Sequence, residues 1–194
     1  FSFYDVVNQK RIVFRALLSG ITDTFSPEYS SERYVGRPDS VYVYQGTQRE
    51  ISFTFDIYPQ SDREMITLWS KMNYLAGLCY PTYESTGAGG GLGMIAPFAK
   101  LTIGDMYKDT SGYISSLTYT VQDTGTYETT FAKLPKYIQA NCSFTYIGDR
   151  LPSSTQKHYE AAWIAEEGYE TNTPDLLAYL GGTSGLLRDA ANRI

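Results

Sequence analysis

Between Gln48 and Tyr58 the chain alternates. Ile51, Phe53, Phe55 and Ile57 fall on odd positions, and Glu50, Ser52, Thr54 and Asp56 on even ones. A period of two sends successive side chains to opposite faces, so this run reads as a strand with one buried and one wet face. Such a strand needs partners, and the chain supplies candidates: residues 11–17, 41–44, 98–103, 113–121 and 137–147. Gln45-Gly46-Thr47 suggests a hairpin between 41–44 and 48–58, and Asp109-Thr110-Ser111-Gly112 a turn between 98–103 and 113–121. Residues 21–35 are polar with spaced aromatics and read as an extended arm. The turn signal Gly36-Arg37-Pro38-Asp39 follows, in which Pro38 fixes its own φ and pushes Arg37 out of the helical region.

One helix interrupts the strands. Ser61 stands as N-cap with Glu64 three residues on, a capping-box spacing. Met65, Leu68, Trp69, Met72 and Leu75 then recur at helical intervals, so residues 62–78 form an amphipathic helix laid on a sheet, ended by Gly77 and Pro81. Residues 122–136 read as a polar connection. Beyond residue 152 the pattern changes to a partly helical stretch at 153–166, a polar linker at 170–174, a helix opening on Thr173-Pro174 and a last short helix at 184–194. This tail has too few apolar residues for a core of its own and is expected to dock on the domain or on a neighbour. The expected organisation is a β domain over 1–152 and a helical docking segment over 153–194. The chain begins without Met, which reads as part of a longer protein.

Composition narrows the function. Eighteen of the 194 residues are Tyr, a side chain suited to sheets and protein interfaces, and the charged fraction is 19%. The net charge of −5 disfavours binding driven by nucleic-acid phosphates, yet suits a surface past which nucleic acid slides. A single histidine, His158, removes most acid–base schemes. Asp56, Asp105, Asp109, Asp123 and Glu128 read as solvated carboxylates of strands and turns. Cys79 and Cys142 read as two buried free thiols, with a disulfide between them as the alternative, and without histidine partners they make no zinc site. The glycine-rich run 85–93 lacks the Gly-Lys-Ser/Thr ending and following helix of a phosphate loop, and reads as a hairpin tip. No apolar run approaches membrane-spanning length. The expectation is a non-enzymatic protein with no cofactor, no metal and no membrane partner.

Several segments in order resemble the tail-tube-like baseplate proteins of contractile-tailed bacteriophages. They are Phe25-Ser26-Pro27-Glu28-Tyr29 running into Val35-Gly36-Arg37-Pro38-Asp39, then Tyr44-Gln45-Gly46-Thr47 and Arg49-Glu50-Ile51-Ser52-Phe53-Thr54-Phe55-Asp56. Leu68-Trp69, Asn73-Tyr74-Leu75, Leu78-Cys79-Tyr80-Pro81-Thr82-Tyr83, Met94-Ile95-Ala96-Pro97-Phe98, Leu101-Thr102-Ile103-Gly104-Asp105 and Phe144-Thr145-Tyr146-Ile147 followed by Gly148-Asp149-Arg150 continue it. The resemblance covers roughly residues 10–152. It implies an antiparallel β-sandwich with one flanking helix, six copies of which close into a ring joining the baseplate hub to the tail tube. Such a ring templates tube growth and leaves a channel for DNA. It also implies the assembled virion as location, the host cytoplasm during assembly, and hub proteins and a tube protein or second adaptor ring as partners. Gly36, Arg37, Pro38, Asp39, Arg49, Gly89, Gly90 and Gly91 are then the expected contacts between subunits or rings. Glu50, Ser52, Thr54 and Asp56 are the expected channel-facing residues. The competing expectations are the main tail-tube protein and, from another class, a carbohydrate-binding sandwich.

Overall fold

The computed structural model describes residues 1–85, 92–121, 127–128, 133–148 and 151–164. The strands are β1 (Ser2–Asp5), β2 (Lys10–Val13), β3 (Leu17–Glu32), β4 (Val41–Ile57), β5 (Thr82–Ser85), β6 (Leu92–Ile95), β7 (Ala99–Ile103), β8 (Tyr107–Thr120), β9 (Tyr127–Glu128), β10 (Leu134–Pro135) and β11 (Ile138–Tyr146), with one helix, α1 (Asp62–Gly77), after β4. Seven strands form one antiparallel sheet in the order β2-β1-β7-β8-β11-β4-β3. The pairs β5–β6 and β9–β10 stand apart from it.

The expected sandwich takes the form of a single rolled sheet. In a flat sheet four strand spacings, ~19 Å, would separate β1 from β4. Yet the rings of Phe3 and Phe53 lie 6.3 Å apart, and Phe1, just before β1, is 4.8 Å from Phe55. The two edge strands β2 and β3 are joined by residues 14–16 alone, a link that spans at most ~14 Å. The sheet therefore curls until β1 and β2 face β4 across a shared core. Phe3, Phe14, Ile51, Phe53, Phe55, Leu101, Cys142 and Phe144 fill it.

The helix begins where its capping chemistry places it. Ser61 accepts from the Glu64 backbone N–H at 3.3 Å, and Glu64 accepts in return from the Gln60 N–H at 2.9 Å. Met65, Leu68, Met72 and Leu75 are buried against the sheet. The helix touches both halves of the roll: Lys71 donates to the Val13 carbonyl at the end of β2, and Tyr119 of β8 donates to the Met72 carbonyl.

Several sequence expectations are corrected. Residues 11–17 are not one strand; Phe14–Ala16 form the link that lets the sheet close. Residues 21–35 are extended as expected but do not stand alone, because Thr22–Glu32 pair with β4 throughout. Gln45-Gly46-Thr47 makes no hairpin: β4 runs through it, with Gln45 as an extra residue where the register passes from Glu28↔Gly46 to Tyr29↔Tyr44. The turn before β8 is residues 104–106, and residues 109–112 belong to the strand. Gly112 is there for space: a Cβ would lie 2.6 Å from the Phe144 ring and meet the Thr145 carbonyl. Residues 153–164 form turns rather than a helix, while 165–194, with both expected tail helices, lie outside the described residues. Cys79 is exposed instead of buried, Cys142 is buried, and both are free.

Candidate assembly surfaces

Two faces of the β3–β4 hairpin follow from its register. β11 joins β4 only from Glu50 onward, so Val41–Arg49 pairs with β3 alone. These residues form a two-stranded arm reaching about 27 Å beyond the sheet at ~3.4 Å per residue. The turn 33–40 at its tip holds Gly36, Arg37, Pro38 and Asp39, all exposed, with Gly36 at φ 90°.

On one face, β3, β4, β11 and β8 form a continuous polar wall. The expected residues Glu50, Ser52, Thr54 and Asp56 lie on it together. Their register partners on the wall are Thr24, Thr22, Ser19 and Leu17 of β3, and Thr145, Ser143, Asn141 and Gln139 of β11. Ser116, Thr118 and Thr120 of β8 extend it. Thr54 and Asn141 bond side chain to side chain at 2.6 Å, and Asp56 accepts from Tyr137 and Gln139 at 3.0 and 3.1 Å. None of these wall positions is Lys or Arg. The strands that complete the wall were not singled out in the sequence, although Gln139, Asn141, Ser143 and Thr145 carry the same alternating signal.

The opposite face of the arm continues the core side of the sheet. Phe25, Pro27 and Tyr29 of β3 pair with Arg49, Thr47 and Tyr44 of β4 on that side. Phe25 is 42% exposed, Tyr29 60%, Tyr42 69% and Tyr44 55%. Tyr29 and Tyr44 pack edge to face at 5.6 Å, and among the described residues both stay more than half exposed.

At the root of the arm lies a charged pair in an aromatic cage. A bulge at Gly20–Ile21, with Gly20 at φ 60°, reverses the facing of β3, so that Asp23 turns to the core side. Arg49 donates to both Asp23 carboxylate oxygens, and the Tyr107 hydroxyl donates to Oδ2 at 2.8 Å. The guanidinium lies 4.7–5.6 Å from the rings of Phe25, Tyr107, Tyr146 and Tyr159. Burial by itself would raise the Asp23 carboxyl. The Arg49 and Tyr107 hydrogen bonds and the guanidinium charge outweigh it and hold the carboxyl below its ordinary range. Arg49, expected at a contact between subunits, is thus 6% exposed and engaged inside its own chain. Gly89, Gly90 and Gly91 lie outside the described residues; the run that holds them is flanked by the antiparallel pair β5–β6.

No group of three or more His, Cys, Asp or Glu among the described residues could hold a metal ion. No described helix is long and apolar enough to cross a membrane. Rolled sheet, polar wall and exposed arm define a mainly β protein. No protein-family model matches the chain, and no curated protein matches it in sequence.

Proposed function

We propose that the chain is a structural subunit of the tail baseplate of a contractile-tailed bacteriophage, forming a sixfold ring that joins the hub to the tail tube. The observation that carries this reading is the aromatic face of the arm, exposed among the described residues. An isolated two-stranded ribbon is marginal in water. This one also exposes aromatic surface on the order of 400–500 Å² when each ring offers ~150–250 Å² in full. That is about half of one partner's share of a standard protein interface, ~800 Å². A neighbouring copy seated on the arm would complete the core that the arm continues, and would pair the edges of β3 and β4 that are left unpaired among the described residues.

The polar wall supports the second half of the reading. A lining of hydroxyls and amides with the Glu50 and Asp56 carboxylates gives DNA phosphates no cation to grip, so a duplex passes without sticking. In this reading the ring presents a surface for the first tube ring and works without catalysis, within the virion, against hub and tube proteins.

Light scattering and electron microscopy on the purified chain, alone and mixed with assembled hubs, test the proposal. Sixfold rings seated on hubs, from which tube growth starts, are the expected result. A monomer that ignores hubs overturns it, and long tubes from the chain alone would make it the tube protein instead.

A further inference from the structure

Four separate segments meet around Arg49, and one of them is not part of the sheet. Residues 151–164 leave the end of β11 and cross back over the arm's root. Tyr159 places its ring 5.3 Å from the Arg49 guanidinium and 6.0 Å from the Tyr107 ring. His158 meets Phe25 edge to face at 6.1 Å. The Glu160 N–H donates to the Met106 carbonyl at 3.1 Å, and Ala161 is buried, which ties the segment to the turn before β8.

We propose that residues 151–164 are a clamp that fixes the direction in which the arm leaves the roll, with Arg49 as the positioning residue through which they act. Among the described residues, the caged pair ties the arm's root to Tyr107 of β8 and Tyr146 of β11. Arg49 belongs to β4 and Asp23 to β3, so whatever holds their side chains also holds the twist of the ribbon between them. Phe25, Tyr107 and Tyr146 enclose the guanidinium from the sheet, and Tyr159 adds a side that the sheet leaves open. A cavity of about 330 Å³ beside the cage, lined by Phe25, Tyr44, Tyr146, Pro152 and His158, is the space into which the arm swings when the clamp lifts. A seated clamp aims the aromatic face in one direction, and a lifted clamp leaves it to wander. Ring formation would then depend on the clamp. That consequence rests on the reading above, whereas the clamp itself is tested on unassembled chain.

The experiment measures the distance distribution between spin labels at V35C, on the arm tip, and T67C, on the exposed side of α1, in a C79S background. The parent is expected to give one narrow distribution. Y159A is expected to broaden it at least about twofold, with an unchanged far-ultraviolet spectrum and cooperative melting. An unchanged width in folded Y159A overturns the clamp. If Y159A fails to melt cooperatively, H158A replaces it, since it removes only the ring against Phe25; broadening supports the clamp and an unchanged width overturns it. Normal rings from a variant with a broadened distribution would keep the clamp and remove its link to assembly. Absent rings from a parent with a narrow distribution would remove the assembly reading and keep the clamp.

Discussion

Arg49 donates from Nε to Asp23 Oδ1 at 3.0 Å and from Nη2 to Oδ2 at 2.7 Å, with both side chains 7% exposed. Removing one member of such a pair leaves a buried charge without compensation, at a cost of about 3–5 kcal/mol. R49M is therefore expected to lower the urea-unfolding free energy by that amount. The double variant R49M/D23L is expected to recover most of it, because two apolar side chains of similar bulk need no partner. Equal losses in the single and double variants would show that packing, not charge, is what Arg49 supplies.

The carboxyls of Asp23 and Asp5 give the fold an acid limit. Burial opposes ionisation at both, but hydrogen bonds prevail: from Arg49 and Tyr107 at Asp23, and from Asn8, Tyr74 and the Asn8 and Val7 N–H groups at Asp5. A folded-state pKa below the unfolded one means that the unfolded chain binds more protons between the two values. Stability from these groups is fully present above the unfolded value of about 3.9 and is lost as pH falls through the folded one. Urea midpoints are expected to hold level from pH 7 to about 5 and to drop below about 4. D5N is expected to flatten part of that drop.

Gly112 is a close-approach glycine. G112A places a methyl group against the Thr145 carbonyl and the Phe144 ring, between strands that cannot part without breaking the β8–β11 ladder. The expected loss is at least about 2 kcal/mol. A thermal melt within a degree of the parent would mean that β11 can shift locally to make room.

The wall's lack of cations is a testable property. S52K combined with N141K puts ammonium groups on neighbouring strands of the wall at diagonal positions, since Ser52 pairs with Ser143, two residues along β11 from Asn141. Stability is expected to change by less than about 1 kcal/mol, since both sites are at least partly exposed. Assembled variant rings are expected to retain duplex DNA at low salt and release it as salt rises, while parent rings do not. Retention by the parent would count against the wall as a passage.

The two thiols report on the roll. Cys79 is exposed, whereas Cys142 is buried in the core, where desolvation pushes its pKa up to about 12. A thiol reagent at pH 8 is expected to modify one cysteine in native protein and both in denaturant. Rapid modification of both in native protein would show that the core opens between β4 and β8.

Much of this fold can be read from local pattern. The alternation of Ile51, Phe53, Phe55 and Ile57 identifies the buried face of β4, and the Ser61–Glu64 spacing fixes the start of α1 to the residue. Arg49 could have been placed too, since its odd number puts it on the same face as Ile51. Its charge suggested surface, and the charge that neutralises it is 26 residues away, on a strand whose facing is reversed by the Gly20–Ile21 bulge. Bulges also account for the missed continuity of β4, because a Gly-containing triplet looks like a hairpin turn whether or not the chain reverses. Gly112 misled for a related reason: a glycine needed for clearance carries no mark distinguishing it from one needed for a turn. The roll itself is a matter of which strand neighbours which, and no single strand's pattern encodes that.

The three-residue link between β2 and β3 has a consequence for synthesis. Phe3 pairs with Leu101, so β1 and β2 leave the ribosome 98 residues before the strand that receives them. At ~5–20 residues per second the nascent chain carries Phe3, Ile12 and Phe14 without their final partner for on the order of 5–20 s. Residues 1–14 are thus housed only after β7 has been made.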